Sequence, residues 1–247
     1  PSTKQLYAAL ESHGAVLAAP VFDVSLAAYL LNPSAKGYET QRLAQEYGTA
    51  VPQLDDGEAA LCAALPALCE TLAGEIRDKG QEKLLDEIEL PLARVLAHME
   101  TEGFAVDSEG IRSYGEQLEG EIDRLQSEIY ASVGYEFNIN SPKQLGEVLF
   151  ERLQLPHGKK TKTGWSTNAD VLEKLRWENP IVEEVLQYRQ YAKFRSTYCD
   201  GLLKVIAPDG RIHTSFQMTV TATGRLSSTE PNLQNIPCLL YTSDAAD

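Results

Sequence analysis

The segment from Thr221 to Pro237, TATGRLSSTEPNLQNIP, gathers hydrogen-bonding side chains around one cation. It contains a single guanidinium, that of Arg225, and a single carboxylate, that of Glu230, among hydroxyls and amides. Guanidinium and amide groups donate hydrogen bonds to fixed acceptors, and the prolines restrict the backbone that presents them. A polar turn that is capped by its own amides would have the same composition, so both interpretations stay open at this point.

The minor groove of a nucleic acid duplex is one surface that would accept these donors. Every base pair presents acceptors there, purine N3 or pyrimidine O2, in nearly sequence-independent positions. Arg225, flanked by Asn and Gln amides, could therefore test the geometry of a base pair without selecting its sequence. This hypothesis suits a protein that must handle any sequence.

The charge distribution restricts where a polyanion could bind. The net charge is −14. Residues 1–150 hold 10 basic and 25 acidic side chains, whereas residues 151–200 hold 9 basic and 7 acidic ones. We therefore expect a nucleic acid to contact residues 151 onward rather than the acidic part of the chain.

Cysteine spacing and hydropathy argue against two other classes of protein. The four cysteines form no CxxC pair and the four histidines are scattered, so we expect reduced thiols and no zinc site. No apolar run approaches the roughly 18 residues of a membrane span, and no leader segment is visible. A soluble, cytoplasmic protein is the expectation.

Hydrophobic periodicity predicts a mainly helical chain. A strand over residues 16–23 is expected to pass into a helix over residues 24–32, which Asp23 caps and Pro33 stops. The further helices are predicted over residues 59–72, over residues 82–102 with a kink at Pro91 and an end at Gly103, and over residues 111–129. An Asp209-Gly210 turn precedes a half-buried strand over residues 211–219.

Three segments have features of phosphate contacts. Ser141, Pro142 and Gln144 predict a capping box, and the amides of that helix start could seat a phosphate or simply be capped. Residues 156–167, PHGKKTKTGWST, are typical of a mobile basic loop. A helix opens at Asn179 and Pro180, and one of its faces carries cations without interleaved carboxylates. This pattern fits either a solvated face or a phosphate contact. The residues of this face are Arg189, Lys193 and Thr197, with Arg195 and Ser196 nearby.

The run HTSFQ through TATGRLSSTEPNLQNIP resembles the segment of the bacterial DNA polymerase I family, family A, that lines the minor groove at the primer terminus. Three upstream segments extend the resemblance. QYRQYAKFRSTYCDGLL is similar to the helix that joins thumb to palm, FNINSPKQLGEVLFERLQL with KKTKTGWST to the thumb tip, and IELPLARVLAHMETEGFAVD to the first long helix of the thumb. Residues 82–237 are covered well, and residues 1–80 resemble, less strongly, the end of the exonuclease-like domain.

The resemblance implies an α+β, predominantly α-helical fold. Residues 1–80 would be the C-terminal part of a vestigial 3′–5′ exonuclease-like domain with a partial α/β fold, residues 81–205 a long-helix thumb, and residues 206–237 the first antiparallel strands of a palm. Residues 238–247, CLLYTSDAAD, resemble no polymerase segment and are expected to be foreign to the family. Asp244 and Asp247 are therefore not interpreted as catalytic.

The resemblance also assigns DNA-binding residues. Arg225 would enter the minor groove at the primer terminus, Thr223 would support its loop, and three amides would lie beside it: Asn232, Gln234 and Asn235. The duplex backbone would be held by Lys193, Arg195, Ser196, Thr197 and Tyr198. The thumb would grip phosphates through Asn138, Asn140, Ser141 and Lys143. No catalytic residue and no metal ligand is expected within this chain.

The resemblance also concerns one carboxylate of the N-terminal part, that of Asp23. Asp23 matches a metal-binding residue of the family's exonuclease, but the Tyr-x-x-x-Asp element that should accompany it is replaced by LCAAL, Leu61 to Leu65. One carboxylate cannot hold two metal ions. Asp23 is therefore interpreted as a helix cap in a vestigial domain.

The implied function is template-directed DNA synthesis in replication and repair. The whole enzyme would use magnesium for two-metal attack of the primer 3′-hydroxyl on a deoxynucleoside triphosphate, as a cytoplasmic, nucleoid-associated monomer without a membrane contact. The chain is interpreted as a truncated fragment that holds primer–template DNA and lacks polymerase activity alone. The alternatives are a non-catalytic DNA-binding helical module, an active 3′–5′ exonuclease and, for residues 82–135, an acidic protein-interaction scaffold.

Overall fold

The computed structural model describes residues 2–17, 21–156, 160–161 and 164–236. The α-helices in chain order are α1 (Thr3–Ser12), α2 (Val24–Leu31), α3 (Thr40–Glu46), α4 (Gly57–Asp78), α5 (Glu82–Leu84), α6 (Leu90–Glu102), α7 (Ser108–Val133), α8 (Pro142–Gly146), α9 (Ala169–Lys174), α10 (Pro180–Phe194) and α11 (Asp200–Leu203). Three π-helical turns interrupt them: π1 (Leu85–Glu89), π2 (Glu147–Arg152) and π3 (Arg195–Cys199).

The strands are short and pair antiparallel in twos. They are β1 (Phe104–Ala105) with β4 (Arg211–Ile212), β2 (Lys160–Thr161) with β3 (Gly164–Trp165), and β5 (Ser215–Gln217) with β6 (Ser227–Thr229). Phe104 lies opposite Ile212, and Phe216 lies opposite Ser228. Long helices with a few short antiparallel strands confirm the predicted fold class, α+β and predominantly α-helical.

The chain divides into two compact units. Unit 1 comprises Pro1–Ala105 and Ala207–Asp247, and unit 2 comprises Val106–Ile206. In unit 1, α1 packs on α6 and α2 packs on α4. The predicted assignment of residues 1–80, 81–205 and 206–237 to three different domains stays a prediction.

The core of unit 1 is formed by side chains of α2, α3, α4, π1 and α6. Its fully buried side chains include Leu43, Leu68, Leu72, Ile76 and Leu85. Asp23 begins α2 as predicted, because its carboxylate accepts hydrogen bonds from the amides of Ser25 and Leu26. The strand predicted before it is wrong for the residues described there, since residues 16–17 and 21–23 belong to no ladder.

Helix α4 is longer than the predicted 59–72, because Asp56 accepts from the amides of Glu58 and Ala59 and so starts it earlier. By length and composition it could cross a membrane, against the expectation that no apolar run is long enough. Its buried residues recur every four positions and pack into the core of unit 1: Ala60, Ala64, Leu68, Leu72 and Ile76. The apolar composition is thus explained at least in part by one face buried in protein.

The helix predicted over residues 82–102 is three successive segments, α5, π1 and α6. Pro91 lies in the first turn of α6, directly after π1. Proline has no amide hydrogen to donate to the carbonyl four residues earlier, which explains why regular α-helical bonding is interrupted near the predicted kink. Gly103 ends α6 with a φ of +66°, as predicted.

Unit 2 is built on the packing of α7 against α10. The amphipathic helix predicted over residues 111–129 is confirmed. It lies within α7, which is longer at both ends (Ser108–Val133). One stripe of α7 lies in the core of unit 2, through Leu125, Ile129 and Val133, and the carboxylates lie on the other face. Asn179 begins α10, since its side chain accepts from the amide of Ile181.

The strand predicted over residues 211–219 is split into β4 and β5, and its alternation is correct except at Phe216, which is partly exposed. Ile212, Thr214 and Met218 are buried, and the residues between them are partly exposed. Gly210 adopts a φ of +78° and its amide donates to Ala207, which confirms the turn at Asp209-Gly210. Much of the predicted basic loop, residues 157–159 and 162–163, and the tail 238–247 lie outside the described residues.

Candidate nucleic-acid interface

The connection between β5 and β6 carries Arg225 on a closed turn, which we call the arginine loop (residues 221–226). The Thr221 hydroxyl donates to the Arg225 carbonyl at 2.5 Å, and Gly224 supplies the left-handed conformation between them with a φ of +76°. The Tyr29 hydroxyl donates to the Thr221 carbonyl at 2.6 Å and so ties the loop to α2. The backbone of the arginine loop is therefore fixed at its base.

The Arg225 side chain projects from this loop into solvent. It makes no hydrogen bond or ion pair with any residue that the structure describes, and Thr223 on the same loop is also exposed. An exposed guanidinium offers five N–H donors in a planar fork. Arg225 thus combines a restrained backbone with an uncommitted donor group.

The amides of Gln234 and Asn232 are not uncommitted. Gln234 accepts from the Ser228 amide at 3.1 Å through Oε1 and donates to the Leu226 carbonyl at 2.9 Å through Nε2. Asn232 Oδ1 accepts from the Gln234 amide at 2.9 Å. For these two residues the interpretation as a self-capped polar turn describes the structure, and their direct action as groove donors stays a prediction. Asn235, the third amide, is exposed.

Two buried hydroxyls hold the rest of this segment in place. The Thr214 hydroxyl donates to the carbonyls of Thr229 and Pro231 at 3.1 and 2.6 Å. The Ser228 hydroxyl accepts from the Leu233 amide at 3.0 Å. With the two hydrogen bonds of Gln234, these contacts make residues 226–234 an internally braced support for the arginine loop.

In unit 2, the π3 turn contains four of the five residues predicted to hold a duplex backbone: Arg195, Ser196, Thr197 and Tyr198. Ser196, Thr197 and the preceding Lys193 are exposed, and Arg195 and Tyr198 are partly exposed. Lys193 has no side-chain partner within the described part of the chain, whereas Arg195 Nη2 lies 3.0 Å from Glu119 Oε1. Sequence reasoning missed both the π turn and Glu119, because no residue in RSTYC breaks a helix.

Arg189 does not belong to the exposed cationic face on which the sequence placed it with Lys193 and Thr197. Its guanidinium points inward and donates to the carbonyls of Thr167 and Ile139. Burial lowers the pKa of Arg189 below its ordinary value. The sequence left that face open as solvated or phosphate-contacting, and neither interpretation describes Arg189, because carbonyls within unit 2 take its donors.

The segment before α8 is capped differently from the prediction. Ser141 Oγ accepts from the Gln144 amide at 3.4 Å, but Gln144 Oε1 accepts from the Asn138 amide at 2.7 Å rather than from Ser141. Asn138 Oδ1 accepts from the Asn140 amide at 3.0 Å. Asn138 and Ser141 therefore brace the turn, while Asn140 and Lys143 are exposed. A phosphate seat at this turn stays a prediction.

The Asp23 carboxylate is saturated by protein donors. Oδ1 accepts from the amides of Ser25 and Leu26 at 2.8 and 3.1 Å, and Oδ2 accepts from the amide and hydroxyl of Thr3 at 2.7 and 2.8 Å. The residue is 3% exposed. Among the described residues no three potential metal ligands of the His, Cys, Asp or Glu type cluster together. This geometry gives no support to the exonuclease alternative.

Comparison with known proteins identifies relatives of this fold. The family model for DNA polymerase family A matches residues 108–245 of this chain. DNA polymerase I of Geobacillus stearothermophilus is 46% identical over 258 residues, which cover 96% of this chain and 30% of that protein. DNA polymerase I of Bacillus subtilis is 43% identical over 260 residues, which cover 96% of this chain and 29% of that protein.

A solved structure agrees with these relatives. The polymerase domain of Pol1 from M. smegmatis, in complex with DNA primer–template and dNTP, superposes with a TM-score of 0.82 at 38% identity and covers 96% of this chain and 42% of that one. The fold is thus that of part of a bacterial polymerase domain. The chain belongs to DNA polymerase family A, as the resemblance predicted.

The extent of these matches bears on two expectations. The chain spans about 30% of the length of the curated relatives that it matches. The family match continues to residue 245 and so enters residues 238–247, which the sequence predicted to be foreign to the family. Because the structure does not describe those residues, their assignment stays a prediction.

Proposed function

We propose that this chain is the duplex-holding part of a DNA-directed DNA polymerase that extends a primer under the direction of a template. Its membership of family A supports the reaction type, and the M. smegmatis neighbour was solved with primer–template and dNTP. The observation that carries the proposal is Arg225, an exposed guanidinium without a partner among the described residues, on a loop that is closed by its own hydrogen bonds.

Arg225 would donate to purine N3 or pyrimidine O2 in the minor groove. These acceptors occupy similar positions in every base pair, so one guanidinium can contact a correctly paired terminus of any sequence. The braced backbone lowers the ordering cost of binding, since the loop is fixed before DNA arrives. Thr223 would support the loop and Asn235 would lie beside Arg225 in the groove, while Asn232 and Gln234 would contribute by bracing the segment that follows the loop.

Unit 2 would hold phosphates. The residues proposed are Lys193, Arg195, Ser196, Thr197 and Tyr198 of α10 and π3, with Asn138, Asn140, Ser141 and Lys143 before and within α8. Contacts of this kind supply affinity and register rather than sequence choice, and they weaken as salt rises. A polymerase needs this sequence-independent grip.

The partners of the whole enzyme follow from this reaction. They are double-stranded primer–template DNA and deoxynucleoside triphosphates, handled by a monomer in the cytoplasm near the nucleoid during replication and repair. Family A polymerases generally depend on divalent metal ions, and we propose magnesium. The described residues do not supply that site, because no three potential ligands of the His, Cys, Asp or Glu type cluster among them.

Duplex binding tests the proposal. Fluorescence anisotropy of a labelled primer–template is measured over a salt series for the full chain and for Arg225→Ala, Arg225→Lys and Arg94→Ala. Arg94 is a matched control, an exposed arginine of α6 without a partner in the described part of unit 1. Arg225→Ala should lose about 1–3 kcal/mol of binding free energy, with a smaller loss for Arg225→Lys.

Two outcomes are decisive. If Arg225→Ala and Arg94→Ala bind alike, the groove contact is wrong. A non-catalytic DNA-binding module would show the same Arg225 dependence, so primer extension by the full-length enzyme carrying Arg225→Ala is the second measurement. Loss of extension beyond the loss of binding identifies a contact that matters at the primer terminus.

A further inference from the structure

Arg195, one of the residues proposed to hold the duplex, is already paired with a carboxylate. Its Nη2 lies 3.0 Å from Glu119 Oε1, and the two side chains are 33% and 50% exposed. Lys193, one half-turn earlier, has no such partner in the described residues. The two cations therefore present different net charges to a phosphate, Lys193 alone and Arg195 together with Glu119.

The helix that carries Glu119 is held firmly against the π3 turn. A Cβ at Gly115 would lie 3.4 Å from the Cβ of Cys199, so α7 and π3 approach each other closely at this point. The rings of Tyr114 and Phe194 meet edge to face with centroids 5.7 Å apart. Glu119 lies one helical turn beyond Gly115 on the same face of α7, so this packing holds the backbone of Glu119 close to π3.

We infer that Glu119 is a built-in competitor for the Arg195 guanidinium and weakens the hold of π3 on duplex DNA. The inference rests on the proposed function, because it requires Arg195 to contact a phosphate. A partly exposed ion pair contributes about 0–1 kcal/mol, which is comparable with a single phosphate contact in water. A phosphate can therefore take the guanidinium from Glu119, but only part of the free energy of its contact is retained as affinity.

Salt dependence gives this competition a signature. Each phosphate that a protein cation neutralises releases DNA counterions and adds about 0.9 to the slope of log K against log salt. With Glu119 in place, the guanidinium and carboxylate together carry little net charge, so Arg195 adds less than that. Replacing the carboxylate by an amide restores the full positive charge that faces the phosphate.

The test compares Glu119→Gln with Glu116→Gln in the full chain, with and without Arg195→Ala. Glu116 is an exposed carboxylate of the same helix without an ion pair in the described structure, and its replacement changes the net charge equally. Glu119→Gln should tighten primer–template binding by about two- to fivefold at moderate salt and steepen the salt slope by up to about 0.9. Glu116→Gln should change both quantities less.

The outcomes separate this inference from the proposed function. If Arg195→Ala leaves binding unchanged, the assignment of Arg195 to the duplex is wrong. If Arg195→Ala weakens binding but Glu119→Gln leaves it unchanged, the competition is wrong; if Glu119→Gln weakens binding, the competition is also wrong and Glu119 positions the guanidinium instead. If Glu119→Gln tightens binding equally in the Arg195→Ala background, its effect is a general charge effect and the inference also fails.

Discussion

The guanidinium of Arg189 donates to the carbonyl oxygen of Thr167, with Nη1 and that oxygen 2.6 Å apart. Its Nη2 donates to the carbonyl of Ile139 at 3.2 Å. One side chain of α10 thus ties together two segments of unit 2 that are 28 positions apart in the chain. The lowered pKa of Arg189, caused by burial, agrees with a structural role for this arginine rather than an exposed binding role.

Replacing Arg189 should therefore destabilise unit 2. Arg189→Ala leaves the carbonyls of Thr167 and Ile139 without these donors, which costs about 1–3 kcal/mol. The control is Arg176→Ala, which removes exposed ion pairs to Glu173 and Glu183 and should cost about 0–1 kcal/mol. Urea denaturation measures both. Equal urea midpoints for the two variants would contradict the role of Arg189 in joining the two segments of unit 2.

Gly103 cannot be replaced without strain. Its φ of +66° lies in the left-handed half of the map, and a Cβ there would meet the His213 ring at 2.8 Å and the Ile212 carbonyl oxygen at 3.0 Å. A strained backbone of this kind costs about 1–3 kcal/mol, and the contact with backbone adds to it. Gly103→Ala should lower the thermal midpoint clearly.

Gly120 provides the matched comparison for Gly103. It lies in the exposed face of α7 with open space where a Cβ would stand. Alanine is favoured over glycine inside a helix by about 0.5–1 kcal/mol, so Gly120→Ala should stabilise the chain. The two substitutions add the same methyl group with opposite expected signs. A similar loss for both would show that the contact at Gly103 does not matter.

Protonation of His213 should stabilise unit 1. Its Nδ1 lies 2.8 Å from the carbonyl of Glu100 near the end of α6, and its Nε2 lies 3.1 Å from Asp209. These two contacts raise the pKa of His213 above its ordinary value of about 6.5. The pKa of Asp209 is lowered, mainly by the hydrogen bond from the Arg211 amide and also by the hydrogen bond to His213. A cation is also favourable at a helix C-terminus.

The sign of the pH dependence follows from the raised pKa of His213. Its contribution is fully present below the unfolded pKa and is lost as the pH rises through the higher folded pKa. The free energy of unfolding should therefore fall as the pH rises from about 5.5 to about 8.5, and it should fall by more in the wild-type chain than in His213→Gln. The other histidines titrate in both proteins, so the difference between the two decreases reports His213. Urea midpoints at the two pH values give the comparison. NMR titration that places the His213 pKa below about 6.5 would contradict the assignment.

The parts of the fold that could be predicted are those that local chemistry decides. Asp23 before an apolar run, Gly103 after one, and the stripe that includes Leu125 and Ile129 each specify a helix start, end or face without knowledge of the rest of the chain. The resemblance then identified the family. These local signals predict the structure correctly because tertiary packing uses the same helix faces and helix ends that they define.

The parts that could not be predicted depend on which partner a polar group finds. Composition showed that Gln144, Gln234 and Arg189 can donate and accept, but not that each would bond a backbone group several residues or a whole segment away. The π3 turn was missed for a similar reason. For π1 the sequence offers one cue, Pro91 in the first turn of α6, whereas no residue of RSTYC offers such a cue for π3.

Gln234 should support DNA binding from within the protein. Its Oε1 accepts from the Ser228 amide and its Nε2 donates to the Leu226 carbonyl, next to Arg225. Gln234→Ala removes both bonds, each contributing about 0.5–1.5 kcal/mol, and should raise the hydrogen-exchange rate of the Ser228 amide by about fivefold or more. Duplex affinity should fall because the support of the arginine loop becomes mobile.

Gln234→Glu separates the two bonds of this side chain. At neutral pH the carboxylate keeps an acceptor for the Ser228 amide but loses the donor to Leu226 and places a negative charge against that carbonyl. Exchange at Ser228 should stay slow in this variant, while duplex binding should still weaken because the bracing next to Arg225 is lost. If Gln234→Ala lowers duplex affinity but leaves Ser228 exchange unchanged, Gln234 is not a brace and a direct groove contact through its amide becomes the hypothesis to test; if both stay unchanged, both roles are wrong.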